Sequence, residues 1–205
     1  MSQLFVKICG ISTMDAAAAV ADSGADAIGF VFAPGSPREV APEQARLLQT
    51  ALPPSIETVG VFRNQPIDTV LRTARLAGVA TVQLHGDETD AEFDRLRAEG
   101  FDTIRALSID DYLRLTNAGQ LRSVDRLLID AVTPGGGAAF DPAPLLDAAP
   151  VDFWILAGGL NPQNVAELVR SVRPGGVDVS SGVEASRGVK HPALIRRFVA
   201  EARSA

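Results

Sequence analysis

At 205 residues the chain can build one large domain or two small ones, and a hydrophobic content of 46% is enough for a substantial core. A net charge of −6 and the absence of any basic run argue against a nucleic-acid partner. The single cysteine excludes an internal disulfide and suits a reducing compartment; the start Met1–Lys7 lacks a signal-peptide pattern and no apolar run is long enough to span a bilayer. The expected location is therefore the cytoplasm, away from membranes.

Short apolar runs rich in β-branched residues alternate with segments of helical composition along the whole chain. The run Leu4–Cys9 is followed by the Ala-rich helical segment Thr13–Ser23. Strand Asp26–Phe32 precedes helix Pro42–Ala51, and Glu57–Phe62 precedes Ile67–Ala77. Thr81–His85 leads to Asp90–Glu99, and Thr103–Leu107 to Asp111–Asn117. Arg126–Asp130 is followed by the short segment Pro142–Ala148. Phe153–Ala157 leads to Pro162–Val172, and Val177–Ser180 to Pro192–Ala202.

Punctuation repeats with the units. Gly24, Gly78 and Gly100 close helices two or three residues before the next strand, the usual work of a C-capping glycine. Pro42, Pro66, Pro142, Pro162 and Pro192 stand at first-turn positions. Eight βα units without a linker predict an α/β fold, a single (β/α)8 TIM barrel with short loops spanning 1–205. The rival, a doubly wound open sheet, calls for a glycine fingerprint after the first strand, which Cys9-Gly10-Ile11-Ser12-Thr13 lacks.

In such a barrel the chemistry sits at the C-terminal strand ends. That rule collects Lys7, Cys9, Arg38, Arg63, Asn64, His85, Asp87, Arg105, Ser108 and Asp130. The last two loops add Gly158, Gly159, Ser180, Ser181 and Gly182. The glycines let backbone N–H groups approach an anion, Asn161 and Pro162 suit a helix start, and a short helix start is expected after Gly182. Two such loops at the end of the barrel predict a phosphate site. Cys9 and Asp130 stand out as polar ends of apolar strands, able to act as base and acid. Each has a plainer reading: Cys9 as a small core residue, Asp130 as a turn cap, His85 as a hydrogen-bonded structural histidine, Arg38 as surface charge. His191, just before Pro192, reads as a helix cap. Two distant histidines give no zinc spacing, so no metal is expected.

These stretches carry a resemblance. Lys7-Ile8-Cys9-Gly10-Ile11, Gly29-Phe30-Val31-Phe32 with Ser36-Pro37-Arg38, and Gly60-Val61-Phe62 resemble phosphoribosylanthranilate isomerase. So do Val82-Gln83-Leu84-His85-Gly86-Asp87-Glu88, Leu156-Ala157-Gly158-Gly159-Leu160 and Val177-Asp178-Val179-Ser180-Ser181-Gly182-Val183-Glu184. The resemblance runs through nearly the whole chain in order. It implies a (β/α)8 barrel of tryptophan biosynthesis that performs an Amadori rearrangement of N-(5-phosphoribosyl)anthranilate without metal or cofactor. The family's general base maps to Cys9, its general acid to Asp130, and the arginine that contacts the anthranilate carboxylate to Arg38. The expected partner is a small phosphorylated substrate, with the protein as a monomer or homodimer. One segment departs: where the family usually carries Gly-Gly-Thr-Gly and then a polar or basic residue before Phe-Asp, this chain reads Pro134-Gly135-Gly136-Gly137-Ala138-Ala139-Phe140-Asp141. Lys190-His191 stands where Lys-Asp is more usual, a peripheral change.

The chemistry fits the residues. Opening a ribofuranose aminal needs a proton on the ring oxygen, so Asp130 must be protonated with substrate bound. The iminium acidifies the C2 proton, which a Cys9 thiolate would take. Lys7, two residues back on the same strand, is expected to favour that thiolate. Two other readings stay open: an isomerase of another phosphorylated aminoaldose, of histidine-pathway type, motivated by the altered loop, and a non-catalytic sugar-phosphate-binding barrel, which would need neither Cys9 nor Asp130.

Overall fold

The computed structural model describes residues 3–122, 125–131, 143–150 and 152–205. Eight parallel strands close into a barrel in sequence order, the last pairing with the first. They are β1 (Phe5–Cys9), β2 (Ala27–Val31), β3 (Glu57–Phe62), β4 (Thr81–Leu84), β5 (Asp102–Ser108), β6 (Arg126–Asp130), β7 (Trp154–Ala157) and β8 (Gly176–Val179). The closure rules out the open sheet. Among the described residues the helices are α1 (Met14–Ser23), α2 (Pro42–Leu48), α3 (Ile67–Ala77), α4 (Asp90–Ala98), α5 (Ile109–Asn117), α6 (Ala143–Ala148), α7 (Val165–Val172) and α8 (Pro192–Arg203). None is long and apolar enough to cross a membrane.

Alternation along the strands splits the apolar residues into two layers. Val6, Ile8, Ile28, Phe30, Val82 and Ile129 pack outward against the helices. Val59, Val61, Ile104, Ala106, Leu128 and Ile155 form a separate cluster inside the barrel, together with Cys9. Polar side chains complete the interior: Lys7, Thr81, Gln83 and Asp178 are all buried. At the N-terminal end Arg126 Nη1 donates to Glu57 Oε2 at 2.9 Å, and its guanidinium lies 5.9 Å from the Phe5 ring.

Helix ends follow the sequence signals. Gly24 and Gly78 are left-handed C-caps. Thr13 and Ser108 accept from the first-turn N–H groups of Ala16 and Asp111. His191 Nδ1 accepts from Ala193 N at 3.2 Å, which makes it a cap as expected. Pro42 and Pro192 occupy the first helical turn, Pro66 is instead the N-cap of α3, and Pro142 lies outside the described residues.

Three expectations are corrected, and one further element was not foreseen. α7 begins at Val165, because residues 162–164 form a turn in which the Asn161 carboxamide accepts from Gln163 N and Asn164 N. α5 starts two residues early, at Ile109, where Ser108 caps it. The helix start expected after Gly182 is a single 3₁₀ turn, Ser181–Val183, which contains that glycine. A hairpin of β9 (Glu184–Ser186) and β10 (Val189–Lys190) follows, which no apolar alternation announced.

α8 shows how the outer layer holds the barrel: Ile195, Phe198, Val199 and Ala202 are buried at helical spacing. Phe198→Ala is expected to cost about 3–5 kcal/mol. Leu47→Ala, at a side chain 60% exposed, should stay within about 0.5 kcal/mol of wild type. Urea melts of both variants, followed by circular dichroism, check the contrast.

Candidate active site

β1 supplies Lys7 and Cys9 to the barrel interior, since Val6 and Ile8 take the outer face. The β1–β2 register sets Cys9 against Gly29. A Cβ at Gly29 would stand 2.9 Å from Cys9 Sγ, so the space for the thiol depends on that glycine. Sequence reading quoted Gly29 but gave it no role; only the strand register reveals one.

The β1–β8 register sets Lys7 against Asp178, and Lys7 Nζ lies 3.0 Å from Asp178 Oδ1. The ammonium has no exposed surface, so Lys7 lies beneath Cys9 rather than on the open surface of the mouth. The two charged atoms attract without hydrogen-bond geometry, and among the described residues neither has a hydrogen-bond partner, nor does Gln83 Oε1. Burial opposes the ammonium, yet Asp178 and Cys9 outweigh it and raise the Lys7 pKa. Burial likewise pushes the Cys9 thiol above its ordinary value; Lys7 pulls it down, Asp178 pushes it up, and the thiol stays raised. Lys7 thus favours the thiolate as expected, without overcoming the burial of the thiol. Desolvation exceeds the ammonium's help, part of which Asp178 neutralises. Asp178 was legible in principle, because in Val177-Asp178-Val179-Ser180 the strand period puts Asp178 on the inner face.

Asp130 ends β6 on the inner side, since Leu127 and Ile129 pack outward. His85 follows β4 directly, and its Nε2 lies 3.5 Å from Asp130 Oδ2. That is close enough for electrostatic contact and longer than a direct hydrogen bond. Both side chains are partly exposed. Ser108, also at this end, is committed to capping α5 and to Asp111. Arg105 does not reach the mouth. Its neighbours Ile104 and Ala106 face inward, so Arg105 faces α4, 3.8 Å from the Phe93 ring centroid and 2.6 Å from Asp90. Asn64 and Asp87 hydrogen-bond each other across the loops after β3 and β4.

Arg38 comes from the loop after β2, which Val40 N fastens back to Val31 O at 3.0 Å. Its Nε and Nη2 donate to Glu184 at 2.6 and 3.0 Å. Glu184 also accepts from Gly188 N and from Lys190 Nζ. Burial opposes its charge, but Arg38, the Gly188 N–H and Lys190 bring the carboxyl down to about 2. Gly10, at φ +78°, leaves room for the Arg38 stem: a Cβ there would lie 2.5 Å from Arg38 Cδ.

The loops after β7 and β8 meet. A Cβ on Gly182 would fall 1.8 Å from the Leu160 carbonyl oxygen. Gly158 and Gly159 both have positive φ, +91° and +63°. Gly159→Val would therefore strain the backbone. Ser180 Oγ lies 3.2 Å from Lys190 Nζ, and Ser181 and Gly182 form the 3₁₀ turn. The altered segment Pro134–Asp141 after β6 lies outside the described residues. Among the described residues no group of three or more His, Cys, Asp and Glu side chains is arranged to hold a metal ion.

A family model described as N-(5'-phosphoribosyl)anthranilate (PRA) isomerase matches residues 6–201. An N-(5'-phosphoribosyl)anthranilate isomerase of Magnetococcus marinus is 44% identical over 204 residues, covering 98% of this chain and 95% of its own length. The crystal structure of phosphoribosyl anthranilate isomerase from Thermotoga maritima superposes with a TM-score of 0.88 at 38% identity, over 98% of this chain and 100% of that one. A structure of such an isomerase in complex with reduced 1-(o-carboxyphenylamino)-1-deoxyribulose 5-phosphate gives a TM-score of 0.83 at 37% identity, with coverage of 98% and 100%.

The charge arrangement has a direct test in the single cysteine. Asp178→Asn removes an anion that raises the thiol, so Cys9 should titrate lower than in wild type. Lys7→Met removes the cation that lowers it, so Cys9 should titrate higher. Thiolate absorbance in the ultraviolet against pH reads both shifts, and shifts of the same sign in the two variants would refute the arrangement.

Proposed function

The chain belongs to the N-(5'-phosphoribosyl)anthranilate isomerase family, an isomerase of tryptophan biosynthesis, and from that premise we propose which side chains carry its reaction. Residues 1–205 act as one (β/α)8 domain. The reaction turns N-(5-phosphoribosyl)anthranilate into 1-(2-carboxyphenylamino)-1-deoxyribulose 5-phosphate. Electrons balance within the substrate, since C2 is oxidised as C1 is reduced, and only protons change hands.

Asp130 is the general acid. It gives a proton to the ring oxygen as the C1–O bond breaks, and the nitrogen lone pair closes the iminium. Cys9 is the general base. Its thiolate takes the C2 proton, and the C2–H electrons flow toward the iminium nitrogen to give an enol. The enol then tautomerises to the ketone. The observation that carries this reading is the pair of titratable groups ending β1 and β6 on the inner face of one barrel, a buried thiol and a partly exposed carboxyl. Lys7 lies beneath the thiol and stabilises its anion, while His85 stands 3.5 Å from Asp130 and orients it. A base that has to remain a free thiol suits the reducing cytoplasm.

The substrate's two anionic ends fix it in place. Backbone N–H groups of Gly158, Gly159, Ser181 and Gly182, with the Ser180 hydroxyl, receive the phosphate; the close contact of Gly182 with Leu160 supports a joint site. Arg38 receives the anthranilate carboxylate with the guanidinium N–H groups not committed to Glu184.

Cys9→Ala and Asp130→Asn are each expected to lower kcat by about 10²–10⁴-fold with little change in KM. A variant that keeps more than about a tenth of wild-type kcat would remove that residue from its role. Arg38→Ala should raise KM more than it lowers kcat, because the carboxylate contact is made equally in ground and transition states. Steady-state kinetics on N-(5-phosphoribosyl)anthranilate measure all three.

A further inference from the structure

The buried ammonium of Lys190 has no part in the proton transfers above, yet it is the point where several strands of the site converge. The side chain is 1% exposed. It comes from β10, the hairpin strand that lies beyond the barrel wall in sequence. Its Nζ reaches three oxygens: Ser180 O at 2.8 Å, Ser180 Oγ at 3.2 Å and Glu184 Oε1 at 2.9 Å. An ammonium has three protons, so this set uses all of them and leaves none for a substrate.

The two residues that accept belong to different ends of the site. Ser180 opens the turn that carries the N–H groups of Ser181 and Gly182. With its carbonyl and hydroxyl oxygens both accepting from Lys190, the Ser180 peptide is pinned and its hydroxyl proton is left to donate elsewhere. Glu184 holds the Arg38 guanidinium through two parallel bonds on the Nε–Nη2 edge. That grip fixes the plane of the guanidinium and leaves the Nη1 side for an incoming carboxylate. Gly188 N completes the set on Glu184, and Gly188 itself packs so tightly that a Cβ would lie 2.6 Å from Pro37 O, next to Arg38.

We propose that Lys190 is a positioning residue that ties the two anion-binding ends together, setting the phosphate loop through Ser180 and the Arg38 guanidinium through Glu184. The proposal rests on the reading that those two ends take the phosphate and the anthranilate carboxylate. Lysine is suited to this because its tetrahedral head can meet three oxygens that do not share a plane, which a planar guanidinium cannot do. The two ends are therefore not independent: one buried cation sets the distance between them, and a substrate must span that fixed distance.

The test uses two probes, inorganic phosphate and anthranilate, each measured as a competitive inhibitor of the folded enzyme. Lys190→Met keeps the stem and removes the charge. It is expected to raise both inhibition constants about tenfold and to raise KM, with a much smaller change in kcat. Glu184→Gln should weaken anthranilate by a similar factor while changing phosphate far less. If Lys190→Met moves neither constant, or only one, the link is overturned. Should that variant fail to fold, the same two constants on Lys190→Gln decide, and values equal to wild type overturn it. Arg38→Ala separates the two possible failures. If it leaves the anthranilate constant unchanged, the placement of the carboxylate end has failed. If Arg38→Ala weakens anthranilate and Lys190→Met does not, the link through Glu184 has failed.

Discussion

The pairing of β1 with β8 is the constraint from which the rest of the structure follows. It closes the barrel, and its register sets Lys7 against Asp178. Because side chains alternate across a strand, a slip of one residue would send Lys7 and Cys9 into the apolar layer under the helices and bring Val6 and Ile8 inside. An ammonium with no exposed surface is tolerable only where carboxylate and thiol surround it, and the barrel offers that environment at one register only. Fold closure and the charge state of the site are therefore settled by the same hydrogen-bond ladder.

An acidic chain nonetheless presents local cations to an anionic substrate. Its only two lysines, Lys7 and Lys190, are both buried at this end of the molecule, each held by a carboxylate, Asp178 or Glu184. Arg38 shares Glu184. These cations are each balanced in place, so the site gains direction from their hydrogen bonds more than net charge. Burial raises the Cys9 thiol, and the same balance adds to it: the carboxylate that makes a buried lysine tolerable also takes away part of the help that lysine gives its neighbour.

The order of the eight βα units, their approximate bounds and the capping glycines were readable from the chain, because each rests on local pattern: a period of two, a period of 3.6, and a backbone that only glycine adopts easily. Cys9 and Asp130 were readable as polar ends of apolar strands. Arg105 was misplaced although the same pattern held the answer, since Ile104 and Ala106 facing inward leave it facing Phe93. The hairpin of β9 and β10 was not readable. Its strands are three and two residues long, too short for a period to show.

What the sequence determined by itself was the repeating secondary structure and the inventory of groups at the strand ends, since those depend on neighbours a few residues apart. What only the tertiary structure decided was which groups meet. Lys7 with Asp178, His85 with Asp130 and Arg38 with Glu184 are contacts set by barrel register and by loops folding over it, while Lys190 meets Ser180 and Glu184 through the short β9–β10 hairpin. Charge, burial and pKa arise from those long-range contacts, and no local pattern in the chain encodes the distance between residues that only closure brings together.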